Sequence, residues 1–320
     1  MVNMRVVVVL AGIAGCGLLG AAPAEESAAP GAQSRTVQLD QGEVGRWSGF
    51  AARTCGMYGK RWAAVDAVCY YPVDIGAKPG RHEILLEDQD GRSHTGWAEV
   101  SAVDWPEVEM ELADDRFVTL SPEDAERAKR ERTEVLALFK GEPGEPRFSL
   151  PLADPARDLP RNENDFGSRR TFNGKAKSQH TGRDYPVAEG RPVRAVADGT
   201  VLLAADHFLT GNSVYVDHGG GLVSMNFHLD SLAVKTGDEV ERGQELGKVG
   251  ATGRATGPHL HLGLRWMAQR VDPEPLLTSP LKLHEVGEAP RTEARKSEAS
   301  AAEPVEGGPA AKVPDDSDEG

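Results

Sequence analysis

Two stretches of the chain alternate apolar and polar residues in the way that β-strands do. In the first stretch, residues 36–119, the segment RHEILLEDQDGRSHTGWAEV (81–100) has two alternating runs on either side of Asp90-Gly91. An Asp-Gly pair between two such runs predicts a β-hairpin, because glycine readily takes the positive φ of a tight turn. Residues 36–119 are therefore predicted to form a small β-rich N-terminal domain.

One helix is predicted after this domain, in the segment SPEDAERAKRERTEVLALF (121–139). Ser121 suits the N-cap position and Pro122 the first turn, and Val135 and Leu138 belong to a modest apolar stripe. The residues that follow are rich in proline. Residues 120–164 are therefore predicted to be a helix and a connector.

The second β-like stretch covers residues 165–279, where short apolar runs recur at intervals of about ten residues. Glycine-rich turns separate these runs, and this spacing predicts an all-β domain. The whole chain is thus predicted to be mainly β, with one linking helix. From residue 280 the composition shifts to Ala, Glu, Pro, Ser and Asp, so residues 280–320 are predicted to be a disordered acidic tail.

The first 24 residues predict an export signal, and residues 25–35 a flexible leader. Arg5 precedes an uncharged apolar run that is too short and too rich in glycine and alanine for a typical membrane span. Ala22-Pro23-Ala24 suits an ordinary signal peptidase, whereas IAGC (13–16) resembles a bacterial lipobox, which would leave Cys16 lipidated. Both endings stay open, and both predict an exported protein of the periplasm or cell envelope.

Composition and cysteine content limit which partners and which cell compartment are compatible with this sequence. The chain has 320 residues and a formal net charge of -14, which argues against a nucleic-acid partner because such proteins need a basic face. A membrane contact is expected only through the possible lipid anchor, and no pattern indicates an oligomeric state. Cys55 and Cys69 are predicted to form a disulfide in an oxidising compartment. The alternative is two buried free thiols.

Histidines supply the candidate chemistry. His259 and His261 are two residues apart on an apolar segment, so on a strand both side chains reach the same face. His180 stands four residues before Asp184, and Gly182 between them permits a bend that would bring both side chains to one cation. The alternative for His259 and His261 is a pair of surface imidazoles. The alternative for His180 and Asp184 is a polar turn with a solvated aspartate.

Other histidines add to this set without defining a site alone. His228 lies in the apolar run MNFHLD, where a buried structural histidine is typical, and His207 and His218 are also interpreted as structural. A mixed His/Asp ligand set with three protein ligands and a water is the pattern of catalytic zinc. The chain contains no HExxH motif, which excludes a thermolysin-like helical zinc site.

The order of these motifs resembles that of the lysostaphin/LytM-type zinc metallopeptidases. An HxxxD motif beginning at His180, a middle His-Leu at His228, and Gly-Pro-His-Leu-His ending at His261 follow one another within residues 166–277. The resemblance implies a compact antiparallel β peptidase domain with a groove over the zinc. Members of this family typically cut peptide bonds in the stem or the cross-bridge of peptidoglycan, so peptidoglycan peptides are the expected substrate.

The resemblance also implies a role for each side chain of the motifs. His180, Asp184 and His261 are the expected ligands of one Zn²⁺ ion. His259 is expected to activate the water. His228 is expected to assist catalysis and to stabilise the oxyanion.

Two residues depart from the family pattern. Arg183 replaces the usual apolar residue before the aspartate, and Asn226 stands where an aromatic residue often precedes the middle histidine by two.

Two other functions remain open. One alternative is an inactive domain of the same fold that activates other cell-wall hydrolases. The other is a lipoyl- or biotinyl-type carrier module, which residues 234–250 resemble, although no carrier-lysine motif accompanies them.

Overall fold

Strands predominate in the computed structural model, which describes residues 35–161 and 165–288. This confirms the mainly β prediction. The predicted signal segment with Cys16, all but the last residue of the leader, and the tail beyond residue 288 lie outside the described residues. Within the described ranges, no helix combines the length and the apolar character needed to cross a membrane.

The N-terminal part of the chain forms seven strands. They are β1 (Thr36–Asp40), β2 (Val44–Trp47), β3 (Ala52–Met57), β4 (Lys60–Ala63), β5 (Cys69–Pro72), β6 (Gly80–Asp88) and β7 (Ser93–Ser101). Five of them form a sheet in the order β1-β7-β6-β3-β4. The predicted hairpin is present as β6–β7, with Gly91 at φ +78° in its turn. Its inward-facing side chains Ile84, Leu86 and Ala98 are fully buried, as the alternating pattern requires.

A three-stranded sheet connects the two halves of the chain. β8 (Glu107–Met110) pairs in parallel with β9 (Arg169–Phe172), and β9 forms an antiparallel hairpin with β10 (Ala176–Gln179). The sequence pattern assigned residues 107–110 to the N-terminal domain. In the structure they instead extend the sheet whose last strand leads into His180.

The predicted helix is α1 (Pro122–Leu138), which follows a short 3₁₀ turn at Asp115–Phe117. The side chain of Ser121 accepts a hydrogen bond from the backbone N–H of Asp124 at 3.1 Å, which caps the helix as predicted. Val135 and Leu138 of α1 pack on a small cluster of side chains from the large sheet. This helix therefore lies against the domain that follows it rather than spanning free solvent.

A nine-stranded antiparallel sheet forms the second β domain, which confirms the predicted antiparallel fold. Its strands are β11 (Arg183–Tyr185), β12 (Pro192–Arg194), β13 (Gly199–His207), β14 (Gly211–Asp217), β15 (Leu222–Leu232), β16 (Glu239–Val240), β17 (Glu245–Val249), β18 (Leu260–Trp266) and β19 (Gln269–Val271). The main path runs β11-β18-β15-β14-β13-β16. Leu260, Leu262 and Leu264 of β18 are fully buried on one face, so the alternate residues of that strand face the other side.

The chain end corrects one boundary. After α2 (Glu274–Thr278) and a 3₁₀ turn at Pro280–Lys282, β20 (His284–Glu285) adds in parallel to β2, which pairs with β5 on its other side. The prediction of disorder is therefore wrong for residues 280–288. Leu283 and Val286 are buried in the main core, and averaging the composition over the polar tail concealed these two apolar side chains.

Cys55 of β3 and Cys69 of β5 form the predicted disulfide, with their Cα atoms 5.4 Å apart. Both cysteines are buried, at 1% and 0% exposure, so the link ties the five-stranded sheet to the β20-β2-β5 sheet from within the core. The alternative of two buried free thiols is excluded by this bond.

Replacing both Cys55 and Cys69 with serine is expected to lower the free energy of unfolding by about 3 kcal/mol. The reason is that the disulfide closes a loop of about 15 residues and so lowers the conformational entropy of the unfolded chain, which the double variant regains. Urea unfolding of the oxidised protein and of the double variant measures the difference. An unchanged unfolding midpoint would show that the link contributes nothing to stability.

Candidate metal centre

Three donor atoms meet where β11 and β18 pair. Asp184 and His261 are cross-strand partners, so their side chains stand on the same face of the sheet, and Oδ1 of Asp184 lies 2.7 Å from Nδ1 of His261. His180 lies between the end of β10 and the start of β11. Its Nε2 atom is 3.1 Å from Oδ1 of Asp184 and 3.0 Å from Nδ1 of His261. The structure thus brings together all three predicted ligands.

This donor set suits a divalent metal ion. The three donor atoms lie within 4.8 Å of one another, and the two imidazoles and one carboxylate are ligand types that transition metals accept. Tetrahedral ligands held at bonds of about 2.0–2.2 Å stand about 3.3 Å apart. The observed separations of 2.7–3.1 Å therefore need to open by only a few tenths of an ångström.

Gly182 permits the close approach of these ligands for a steric reason. A Cβ atom at this position would lie 2.6 Å from Nε2 of His261 and 2.5 Å from the carbonyl oxygen of Leu262. Its φ is not in the left-handed region. The sequence pattern suggested glycine for a bend, whereas the structure requires it because the backbone passes directly beside a ligand ring.

A second layer of contacts orients the ligands. Nδ1 of His180 lies 3.0 Å from the carbonyl oxygen of Asp165, and donation to this oxygen leaves Nε2 free to bind a metal. Arg170 binds the other oxygen of Asp184 through Nη1 at 2.8 Å and the Asp165 carboxylate through Nη2 at 2.8 Å. Oδ1 of Asp184 is therefore directed at the metal position while Oδ2 is held by the guanidinium.

Nη2 of Arg170 also lies 2.9 Å from Nδ1 of His180. This nitrogen can accept from Arg170 only in the tautomer that carries its proton on Nε2, and that tautomer cannot bind a metal through Nε2. Metal binding therefore selects the tautomer that donates to Asp165. Sequence reasoning missed both Arg170 and Asp165, because nothing in their local pattern distinguishes them from other charged residues.

His259 and His228 lie beside the three donors. Nδ1 of His259 is 2.8 Å from the carbonyl oxygen of Gly257, and its Nε2 is 3.5 Å from Oδ1 of Asp184. Nδ1 of His228 is 2.8 Å from the carbonyl oxygen of Thr252, and the two rings are 5.0 Å apart. A carbonyl can only accept, so each Nδ1 carries the proton and each Nε2 keeps a lone pair.

Burial and charge set the protonation of this cluster. Burial acts to raise the pKa of Asp184, but its contacts with the imidazoles of His180, His259 and His261 hold it well below its usual range. Burial lowers the pKa of His261 to about 4 and, with the neighbouring imidazoles, that of His228 to about 3. Burial opposes protonation of His259 as well, yet the contact with Asp184 raises its pKa. A neutral His261 beside an ionised Asp184 is the state that a metal ion requires.

The remaining residues that the sequence singled out serve the fold. Arg183 is buried and forms a two-fold ion pair with Asp272, with both N–O distances 2.7 Å. Asn226 is fully buried. The aromatic ring that stacks on His261 belongs to the next residue, Phe227, and the two ring centres are 5.0 Å apart. His218 lies 2.8 Å from the carbonyl oxygen of Asp198, away from the donor set.

Helix α1 covers part of the sheet face that carries the donors. His261, Gly263 and Arg265 alternate along β18 and share this face, and the guanidinium of Arg265 lies 4.3 Å from the ring centre of Phe139, which follows the helix. Met225 and Tyr215 on the same face pack against the end of the helix. The open part of the face therefore lies at the donor end of the sheet.

A small antiparallel β domain with a His–Asp–His donor set and two further histidines beside it defines a metallopeptidase type of site. The model of peptidase family M23 matches residues 178–273, which include all five of these side chains. A crystal structure described as a putative peptidase M23 from Pseudomonas aeruginosa is 30% identical, with a TM-score of 0.57, and the match covers 74% of this chain and 94% of that one. The chain belongs to peptidase family M23, whose peptidases depend on a metal, and the predicted family resemblance is confirmed.

Curated relatives match over shorter parts of their length. The peptidoglycan DD-endopeptidase ShyA of Vibrio cholerae is 41% identical over 90 residues, 28% of this chain and 21% of that protein. The peptidoglycan DD-endopeptidase ShyB of the same organism is 29% identical over 233 residues, 70% of this chain and 50% of that protein. The chain therefore spans between about a fifth and a half of the length of these relatives.

Proposed function

We propose that this chain is a zinc-dependent endopeptidase that hydrolyses peptide bonds in the stem peptides or cross-links of peptidoglycan. The observation that carries the proposal is the convergence of His180, Asp184 and His261 on one point, with His259 and His228 beside them. The relatives ShyA and ShyB are peptidoglycan DD-endopeptidases, which supports the choice of substrate.

Zinc would be held by Nε2 of His180, Oδ1 of Asp184 and Nδ1 of His261, which leaves a fourth position open. When bound, zinc supplies a Lewis acid that polarises a carbonyl and makes water acidic enough to attack near neutral pH. Iron and copper also accept imidazole, so the choice of zinc rests on the mixed His/Asp donor set and on the family. Metal analysis of the purified protein tests this choice directly.

His259 would move the proton. Its Nδ1–H is fixed on the carbonyl oxygen of Gly257, so its Nε2 can accept a proton from the attacking water and return it to the leaving amine. His228 has the same arrangement, with Nδ1–H on Thr252. Its Nε2 can donate to a developing oxyanion only after it has itself taken a proton. The oxyanion role that we propose for His228 therefore requires its imidazolium form, which the lowered pKa of His228 opposes until negative charge develops beside the ring.

Export to the cell envelope belongs to the same proposal. The buried disulfide between Cys55 and Cys69 supports an oxidising compartment. Lipidation at Cys16 and cleavage after Ala24 give mature proteins that begin at different residues. The mass of the mature N-terminus, measured on protein purified from the native envelope, distinguishes the two.

Hydrolysis of purified peptidoglycan tests the proposed function. The purified protein should release soluble muropeptides, lose this activity with a chelator, and recover it when zinc is returned. Mass spectrometry of the released fragments identifies the bond that is cut. A protein that binds zinc but releases nothing, while it stimulates another wall hydrolase, would establish the inactive activator instead.

Replacing Arg170 with methionine is expected to weaken zinc binding about tenfold to hundredfold, because the Asp184 ligand loses the contact that orients it. Competition with a chromophoric chelator gives the dissociation constant. Arg169→Met is the matched control, since it removes the same charge from an exposed neighbour on the same strand. Equal zinc affinity in the two variants would show that Arg170 does not orient the ligand.

A further inference from the structure

Arg254 lies on the loop between β17 and β18, and its backbone is held firmly. Its N–H donates to the carbonyl oxygen of Leu209 at 2.9 Å. The preceding residue, Gly253, has φ +72°, and a Cβ atom there would lie 2.4 Å from the backbone nitrogen of Gly211. The loop therefore presents the Arg254 side chain from a fixed position.

The guanidinium of Arg254 lies on the β9–β10 hairpin beside the metal centre. Its carbon is 4.4 Å from the ring centre of Phe172, and Nη2 donates to Oγ of Ser178 at 3.2 Å. Ser178 is the cross-strand partner of Arg170, and Phe172 follows Arg170 by two residues, so the three side chains share one face of the hairpin. Arg254 is thereby placed on the same hairpin face as Arg170, which contacts Asp184.

Among the residues that the structure describes, Arg254 lacks the carboxylate partners that Arg170 has. Arg170 pairs with Asp165 and Asp184. Across residues 35–161 and 165–288, no carboxylate lies within salt-bridge distance of Arg254, and the hydroxyl of Ser178 is its one side-chain hydrogen-bond partner. Burial and the neighbouring Arg170 act to lower the pKa of Arg254.

We propose that Arg254 binds a free carboxylate of the peptide substrate, and so makes the site selective for acidic peptides. This inference rests on the proposed function and adds a determinant of specificity to it. A guanidinium presents a planar fork that binds a carboxylate through two parallel hydrogen bonds. Phe172 holds one face of this fork, while Ser178 engages a single nitrogen, which leaves the other donors for a ligand. The chain as a whole carries a net charge of -14, so an unmatched cation beside its metal centre is a specific feature and not a general basic surface.

A peptidoglycan stem peptide offers more than one source of such a carboxylate, at its C-terminus and along its length. Kinetics on a soluble cross-linked muropeptide, and on versions amidated at one carboxylate at a time, separate them. Wild-type kcat/KM is expected to fall about tenfold to hundredfold when the carboxylate bound by Arg254 is amidated. Arg254→Met should lose this preference, and Arg254→Lys should keep part of it. A preference that persists in Arg254→Met would overturn the proposal.

A binding measurement separates this inference from the proposed function. Calorimetry with an uncrosslinked stem tetrapeptide is expected to show binding that weakens about tenfold or more in Arg254→Met, whereas the peptide amidated at the carboxylate that Arg254 binds should bind equally to both proteins. Arg81→Met is the matched control, because Arg81 also stacks on an aromatic ring, at 4.1 Å from Trp97, in the N-terminal domain. Arg254-dependent binding without hydrolysis would refute the peptidase proposal alone. Hydrolysis and binding that are both indifferent to Arg254 would refute this inference alone.

Discussion

Asp184→Asn is expected to lower the affinity for zinc about hundredfold or more. Changes to residues that only orient the ligands of a metal already lower its affinity about tenfold to hundredfold, and Asp184 is itself a proposed ligand. Oδ1 of Asp184 lies 3.1 Å from Nε2 of His180 and 2.7 Å from Nδ1 of His261, and it is the one anionic donor of the three. An amide keeps the shape of the side chain but supplies a neutral, weaker ligand. Zinc stoichiometry and chelator competition measure the loss.

Asparagine is preferred to alanine at this position because of Arg170. When no metal is bound, the amide oxygen can rotate to accept from the Arg170 guanidinium, whereas alanine would remove one of the two carboxylate partners of this partly buried charge and leave nothing in its place. Asp206→Asn is the matched control, because it removes an exposed carboxylate that pairs with Arg127 on helix α1. Thermal unfolding of the metal-free proteins checks that both variants fold. Wild-type zinc affinity in a folded Asp184→Asn protein would mean that the metal binds elsewhere.

His259→Ala is expected to bind zinc with wild-type stoichiometry and to lose about 10²- to 10⁴-fold in kcat. His259 stands beside the donor set, with Nε2 3.5 Å from Oδ1 of Asp184, and lies outside the group of three atoms that converge. Its removal should therefore take away proton transfer and leave the metal in place. Zinc analysis and muropeptide release, measured on the same preparation, give the two quantities.

The control for His259 is His82→Ala on β6, a histidine whose ring contacts Tyr58 in the N-terminal domain. This variant should keep both zinc and turnover. Loss of zinc from His259→Ala would contradict the assigned roles and make His259 a ligand. Full activity with full zinc content would show that another group, with His228 as the first candidate, carries the proton.

The local patterns of the sequence predict the strands and the shared face of His259 and His261, because both depend on short-range geometry. The alternation in residues 81–100 is enough for the β6–β7 hairpin, and the two-residue spacing of His259 and His261 puts both on one side of β18. The identity of the ligand set itself came from the order of the motifs and not from periodicity.

The contacts that complete the site depend on pairings between distant segments. Arg170 reaches Asp184 only because β9 and β10 form a hairpin that ends at His180, and β9 in turn pairs with β8 from before helix α1. No local signal marks such a pairing, since its energy comes from backbone hydrogen bonds that any sequence can make. The same holds for β20, whose pairing with β2 is made by two residues in an otherwise polar segment.

Anomalous diffraction at the zinc absorption edge, from a crystal of the zinc-loaded protein, tests the metal centre most directly. The expected result is one peak, about 2.0–2.2 Å from Nε2 of His180, Oδ1 of Asp184 and Nδ1 of His261. His259 and His228 should lie beside the ion without binding it. A peak bound by other residues, or the absence of any peak between these three side chains, would contradict the proposed metal centre.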